Sequence, residues 1–206
     1  MQENVIIKKA MIVAGLAAVL TFGPRATFAQ AATTFSGEAV ALKASVVGVS
    51  LSVSDTGALP STGGSLSTSV ASVNVAGIAS ADLLKSSTSG SGSSSQSQST
   101  LADLNLLNGL VTATAVQSNS SASCSGSQAS TSGSAELLGL TVAGQSILTS
   151  NPNLSISLPG GISVIVNEQT SSSGGGSGSM TVNALHVIGP SINIVVSSAH
   201  SDITCP

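Results

Sequence analysis

From residue 36 onward, apolar and polar side chains alternate with a period of two, as in Val40-Ala41-Leu42-Lys43-Ala44-Ser45-Val46 and Leu51-Ser52-Val53-Ser54. Successive side chains of a strand point to opposite faces, so this rhythm specifies strands with one side inward and one outward. A helix has little to build on. Ser, Thr and Val stand where a helix wants Ala, Leu, Glu and Lys, and no capping box opens a long segment of 3.6-residue period.

Three stretches repeat one scheme, apolar at both ends and rich in serine and glycine between. The first opens at Gly77-Ile78-Ala79, turns within Ser89-Gly90-Ser91-Gly92 and returns through Leu101 to Leu107; the second opens at Gly109-Leu110-Val111, turns near Gly126 and returns through Ala135 to Val142; the third opens at Gly161-Ile162-Ser163, turns in Gly174-Gly175-Gly176 and returns through Met180 to Val187. Each is a long hairpin. An earlier hairpin is expected from Gly37 to Val75 with its turn at Asp55-Thr56-Gly57-Ala58-Leu59-Pro60, and a final strand from Ile192 to Cys205. Thr141 to Pro159, with Asn151-Pro152-Asn153 and Leu158-Pro159-Gly160-Gly161, interrupts the scheme and is expected to cross between sheets. The predicted fold is all-β: about nine strands in long antiparallel hairpins, forming a sandwich- or prism-like sheet assembly after an N-terminal signal helix. The apolar bases form a well-packed end and the serine tips a polar, more mobile one.

Composition limits what such sheets enclose. Apolar residues make up 41 % and mean hydropathy is +0.47, which opposes solvated disorder. The apolar residues are mostly Ala, Val, Leu and Ile, with no Trp and no Tyr among 43 serines and 22 glycines. The core should therefore be thin, its sheets close, and wide pockets few. No cofactor is expected, and aromatic platforms for bases or sugar rings are missing.

The first residues carry an export address. Lys8 and Lys9 precede an apolar run from Ala10 to Phe22, followed by Gly23-Pro24 and the small-residue site Ala29-Gln30-Ala31. This is the order of a secretory signal peptide, and the run is shorter than the roughly 20 residues of a membrane-spanning helix. Residues 1–31 are therefore expected to be removed after Ala31, leaving 32–206 as a single domain, secreted or in a periplasmic or extracellular space, with no membrane contact. Two lysines, Lys43 and Lys85, then face seven carboxylates, which leaves a net charge of −5. Two isolated cations cannot form the basic stripe that nucleic acid or an anionic lipid surface requires.

Cys124 and Cys205 are the two cysteines, and in an exported chain an even number points to a disulfide. Each lies on a strand leaving the apolar base, at similar height, so their sulfurs meet if those strands are neighbours in one sheet or face each other across two. No Cys-x-x-Cys or His-x-x-x-His spacing accompanies them, so no zinc site is expected.

Other motifs reduce to loops and strands. Leu59-Pro60-Ser61-Thr62-Gly63 looks like a sortase sorting signal but is followed by about 140 strand-patterned residues, and is a turn. His200-Ser201-Asp202 holds the residue types of a hydrolase triad, but adjacent strand positions face opposite ways, and no Gly-x-Ser-x-Gly elbow occurs. Asp82 and Asp103 flank one turn symmetrically and face each other near the base, a calcium candidate; His186 and His200 are the candidates of a hydrolase reading. No catalytic role is assigned to any residue.

Several segments together resemble the choice-of-anchor P family of bacterial exported proteins. They are Ala81-Asp82-Leu83-Leu84 with its serine tract, Ala102-Asp103-Leu104-Asn105-Leu106-Leu107, Val166-Asn167-Glu168-Gln169-Thr170, Thr181-Val182-Asn183-Ala184-Leu185-His186-Val187, and Ser198-Ala199-His200-Ser201-Asp202-Ile203-Thr204-Cys205. The resemblance implies a surface or secreted protein whose relatives end in different anchoring tails. This sequence stops at Cys205-Pro206, so release is expected rather than attachment. The function expected is a non-enzymatic structural or adhesive role in the bacterial envelope or extracellular matrix, with polysaccharide or a second copy as partner. A carbohydrate-binding module, calcium-assisted at Asp82 and Asp103, is the alternative.

Overall fold

The computed structural model describes residues 32–148 and 151–206. The expected signal segment, its helix and the cleavage site at Ala31 lie outside the described residues. The rest is all-β, with no helix among the described residues, and its two antiparallel sheets pack as a sandwich. The first sheet holds, in spatial order, β10 (Leu154–Leu158), β11 (Ile162–Gly174), β12 (Ser177–Gly189), β13 (Ile192–Thr204), β1 (Thr34–Val46) and β2 (Val49–Asp55). The second holds β3 (Gly64–Val75), β4 (Ala79–Ser91), β5 (Ser94–Leu106) and β6 (Val111–Ser125); beyond β6 lie β7 (Gln128–Leu138) and the short pair β8 (Thr141–Val142) and β9 (Gln145–Ser146).

The three repeated stretches are the hairpins β4–β5, β6–β7 and β11–β12, turning where glycine allows. The first expected hairpin is corrected. Its turn comes earlier, at Val47-Gly48 between β1 and β2, and the Asp55 to Pro60 stretch instead carries the chain from one sheet to the other. Turn chemistry reverses a strand or redirects it equally well, so Gly57 and Pro60 could not separate the two outcomes. Thr141 to Pro159 does cross back between sheets, with β8, β9 and β10 formed on the way.

The alternation also breaks once in each long strand, and the breaks align. In β1 the buried positions pass from Phe35, Gly37 and Ala39 to Leu42, Ala44 and Val46; in β13 they pass from Ile194 and Val196 to Ala199, Ser201 and Ile203. Register places the skipped residues side by side: Ser54, Ala41, Ser197, Ala184 and Asn167 form a line across five strands. Ser54, Ser197 and Asn167 in that line have φ of 52°. A left-handed residue interrupts the alternation, so its two neighbours face opposite sides, at a cost of roughly 1–2 kcal/mol for a non-glycine. The second sheet carries a matching line through Leu83 (φ 53°), Asp103 (φ 50°), Thr114 and Gly139 (φ 63°).

These lines separate two kinds of interior. Below them lies an aliphatic core that includes Leu42, Leu104, Leu106, Val111, Val164, Val166, Leu185, Val187 and Ile194. Above them, past a bordering row of Leu84, Leu101 and Val116, the interior face of the second sheet is mostly serine, threonine, glycine and alanine, with Met180 and Val182 of β12 on the first sheet, and the sheets are joined by hydroxyls. Ser97 donates to the His200 carbonyl and Ser99 to that of Val40 (3.1 Å), while Ser197 donates to that of Ser99 (2.8 Å). A hydroxyl has one proton, so each of these serines must accept from its own hydroxyl neighbour: Thr88 gives to Ser97, Ser86 to Ser99 and Ser118 to Ser197. Each relay ends on a backbone carbonyl of the opposite sheet. Among the described residues every buried side-chain nitrogen and oxygen has a partner, as a dry polar layer requires.

Gly37 and Gly133 hold two of the closest approaches. A Cβ on Gly37 would collide with Thr88, and one on Gly133 with Met180 and Val182. The serine tips are closed by a second apolar cluster of Phe35, Leu59, Ala122 and Ile203, and by the disulfide from Cys124 of β6 to Cys205 just past β13, with Cα atoms 5.6 Å apart. The bond therefore joins facing sheets. The strands of both sheets continue to their turns at this end.

The layer makes a distinctive prediction. Ser120 and Ser201 share a buried hydroxyl pair (2.9 Å), and Ser201 donates on to the Ser120 carbonyl (3.2 Å). Ser201→Ala strands the Ser120 hydroxyl and is expected to cost about 1–3 kcal/mol in denaturant unfolding. The Ser120→Ala/Ser201→Ala double variant should lose less than the sum of the two single changes. Strict additivity would mean that the hydroxyls act independently.

Candidate functional site

The outer face of the second sheet is a polar grid built directly by register. Its rows run Ser69–Lys85–Thr100–Gln117–Glu136, then Ser67–Ser87–Gln98–Asn119–Ser134, then Ser65–Ser89–Gln96–Ser121–Ser132, then Ser91–Ser94–Ser123–Ser130. No apolar side chain enters it. Rows repeat at about 6.8 Å along the strands and columns at about 4.8 Å across them, as the backbone dictates. The inward positions of these strands alternate with the grid, so the interior serines and the exposed ones come from a single pattern. Some grid hydroxyls bond each other, as Ser121 with Ser132 (2.9 Å) and Ser123 with Ser130 (3.0 Å). Long side chains beside short ones leave shallow grooves, one of about 470 Å³ along Ser67, Ser69, Lys85, Ser87 and Gln98, another of about 240 Å³ between Gln96, Gln98 and Asn119.

The first sheet's outer face carries a different arrangement. Glu168 of β11 accepts from Asn183 Nδ2 (2.6 Å) and lies 2.9 Å from His186 Nδ1, both on β12; His186 Nε2 lies 3.0 Å from Asn193 Oδ1 on β13. Beside this network a groove of about 580 Å³ runs over Val195, Lys43, Ser45, Ser50, Leu51 and Ser52. Of these residues the sequence reading singled out His186 alone. Reflection about the Gly175–Gly176 turn pairs Glu168 with Asn183, but His186 lies three residues further along β12, and only the break in alternation at Ala184 brings it to the same face.

The remaining candidates are dispersed. His200 faces outward, its Nδ1 2.9 Å from Thr181 Oγ1, while Ser201 is buried against Ser120, so the local triad of residue types has no relay geometry. Asp82 stands opposite Ala102, and Asp103 sits on the line of left-handed residues; both are exposed at one level of the sheet. Among the described residues no three His, Cys, Asp or Glu side chains gather as a metal site would need. Among the described residues there is no helix long and apolar enough to cross a membrane, which leaves strands out of account. Cys124 and Cys205 are disulfide-bonded, which is compatible with an oxidising compartment.

No protein-family profile matches the chain, and neither the curated proteins nor the solved structures yield a match.

Proposed function

We propose that this is an exported, non-enzymatic structural or adhesive protein of the bacterial envelope or extracellular matrix, which uses the grid on the second sheet as its contact surface. The observation that carries the reading is the set of hydroxyl and amide groups over five strands, joined by Lys85 and Glu136 in one row and set at the fixed spacing of the sheet. Many weak, regularly placed hydrogen bonds suit a partner that is itself repetitive and polar, such as a polysaccharide surface. The disulfide and the sequence resemblance to choice-of-anchor P proteins support export. A role as a carbohydrate-binding module is the nearest alternative and uses the same face.

Self-association is favoured by a separate observation. β3 is an edge strand of 12 residues with no charge and no proline, the kind of edge that other sheet proteins guard.

Sedimentation with insoluble cellulose, chitin and peptidoglycan tests the main reading. Retention on at least one is expected, with about a tenfold loss in Ser87→Asp/Gln98→Glu, which places carboxylates in the middle row. Equal retention of that variant, or no retention on any of the three, overturns the assignment of this face.

A further inference from the structure

The groove on the first sheet lies on the opposite side of the sandwich and stands independently of the reading above. We propose that it is a binding site for a carboxylate-bearing saccharide, a uronic-acid unit, with Lys43 as counter-ion.

The argument begins with charge. Lys43 is exposed and has no ion-pair partner among the described residues. The carboxylates nearest the groove on this face, Asp55 and Glu168, are occupied by other donors, and Glu38 and Asp202 stand toward the disulfide end of β1 and β13. Asp55 accepts Ser52 Oγ at one oxygen (2.8 Å) and the Gly57 backbone N–H at the other (2.8 Å). Glu168 Oε2 is held by Asn183 and His186. The cation is thus left uncompensated on a domain whose sequence leaves it at −5. Lysine in this setting presents a point charge with three donors, suited to a carboxylate.

The surroundings match the rest of such a ligand. Register sets Ser52, Lys43, Val195 and His186 in one row, and Ser50, Ser45, Asn193 and Ile188 in the next. Lys43 and His186 therefore flank Val195, two strand spacings or about 9.6 Å apart. Val195 gives an aliphatic floor for the C–H face of a sugar ring, and the hydroxyls of Ser45, Ser50 and Ser52 with the Asn193 amide give a rim that both donates and accepts. Glu168 fixes the imidazole from behind, so His186 and Asn193 keep their places without a ligand.

The test uses isotope-labelled protein titrated with a galacturonate oligomer, and separately with its methyl ester, which keeps the backbone and removes the charge. Amide shifts are expected at Lys43, His186, Asn193 and Val195 with the acid, and binding at least tenfold weaker with the ester. Lys43→Met should weaken binding of the acid at least tenfold, and Lys43→Arg should retain most of it. Absence of binding, equal binding of acid and ester, shifts confined to the second sheet, or full binding by Lys43→Met each overturns the proposal. Shifts confined to the second sheet would leave the grid reading standing, so the two assignments fail separately.

Discussion

Loss of the Cys124–Cys205 bond is expected to lower the melting temperature by about 10 °C. In the chain-entropy account, closing a loop with a sequence separation of 81 restricts the unfolded chain by about 4 kcal/mol, and in a domain of this size each kcal/mol moves the midpoint by roughly 2–4 °C. The bond joins two sheets at the end where the aliphatic core does not reach, so its loss acts locally as well. The Cys205 amide donates to the Gly176 carbonyl (2.8 Å) and the Cys124 amide to that of Ser93 (2.8 Å), which ties both sulfur-bearing ends to neighbouring hairpin turns. A Cys124→Ser/Cys205→Ser variant, scanned by differential calorimetry and followed by hydrogen exchange, should keep its strands while amides near residues 120–125 and 200–205 exchange faster than those beside Leu106 and Val187. An unchanged midpoint, or uniform loss of protection, would show that the bond does not brace this end.

Gly37→Val is expected to cost about 2–4 kcal/mol, near the top of what overpacking does. The new Cβ would collide with Thr88 Oγ1 and crowd Ser97 Oγ and the His200 carbonyl, the three members of one relay. Relief of that crowding separates the sheets, and separation strands the Ser97 and Ser99 hydroxyls together. Glycine at 48, in an open turn, provides the contrast, because a Cβ there meets nothing within 4 Å. Gly48→Ala should lose only what its left-handed backbone (φ 81°) demands, on the order of 1 kcal/mol. Urea unfolding of both variants checks this, and equal losses would refute close sheet approach as the reason for Gly37.

The hairpins were legible because serine-glycine tips and apolar bases mark both ends of each strand. The disulfide was legible as a conditional: the cysteines stood at matching heights, and only the assignment of β6 and β13 to opposite sheets decided how they meet. The line of skipped residues was not legible. It runs through Ala41, Ala184, Ser54 and Ser197, small side chains that fit an inward or an outward position equally, so a reversal there leaves no mark on the pattern. The Val47-Gly48 turn was missed for a related reason. Val47, β-branched and with φ of 43°, occupies a place where Asn or Gly would announce a turn. Interior and exterior serines are likewise indistinguishable by type, and what separates them is the partner across the sandwich.

The hydroxyl-lined upper half also shapes how stability responds to temperature. Exposing apolar surface on unfolding raises heat capacity by about 0.45 cal/K/mol per Å², whereas exposing polar surface lowers it by about 0.26. Among the described residues 31 apolar and 11 polar residues are buried, so the hydrogen-bonded serines offset part of the apolar contribution. The curve of folding free energy against temperature is accordingly expected to be shallower than that of an all-aliphatic interior of the same size.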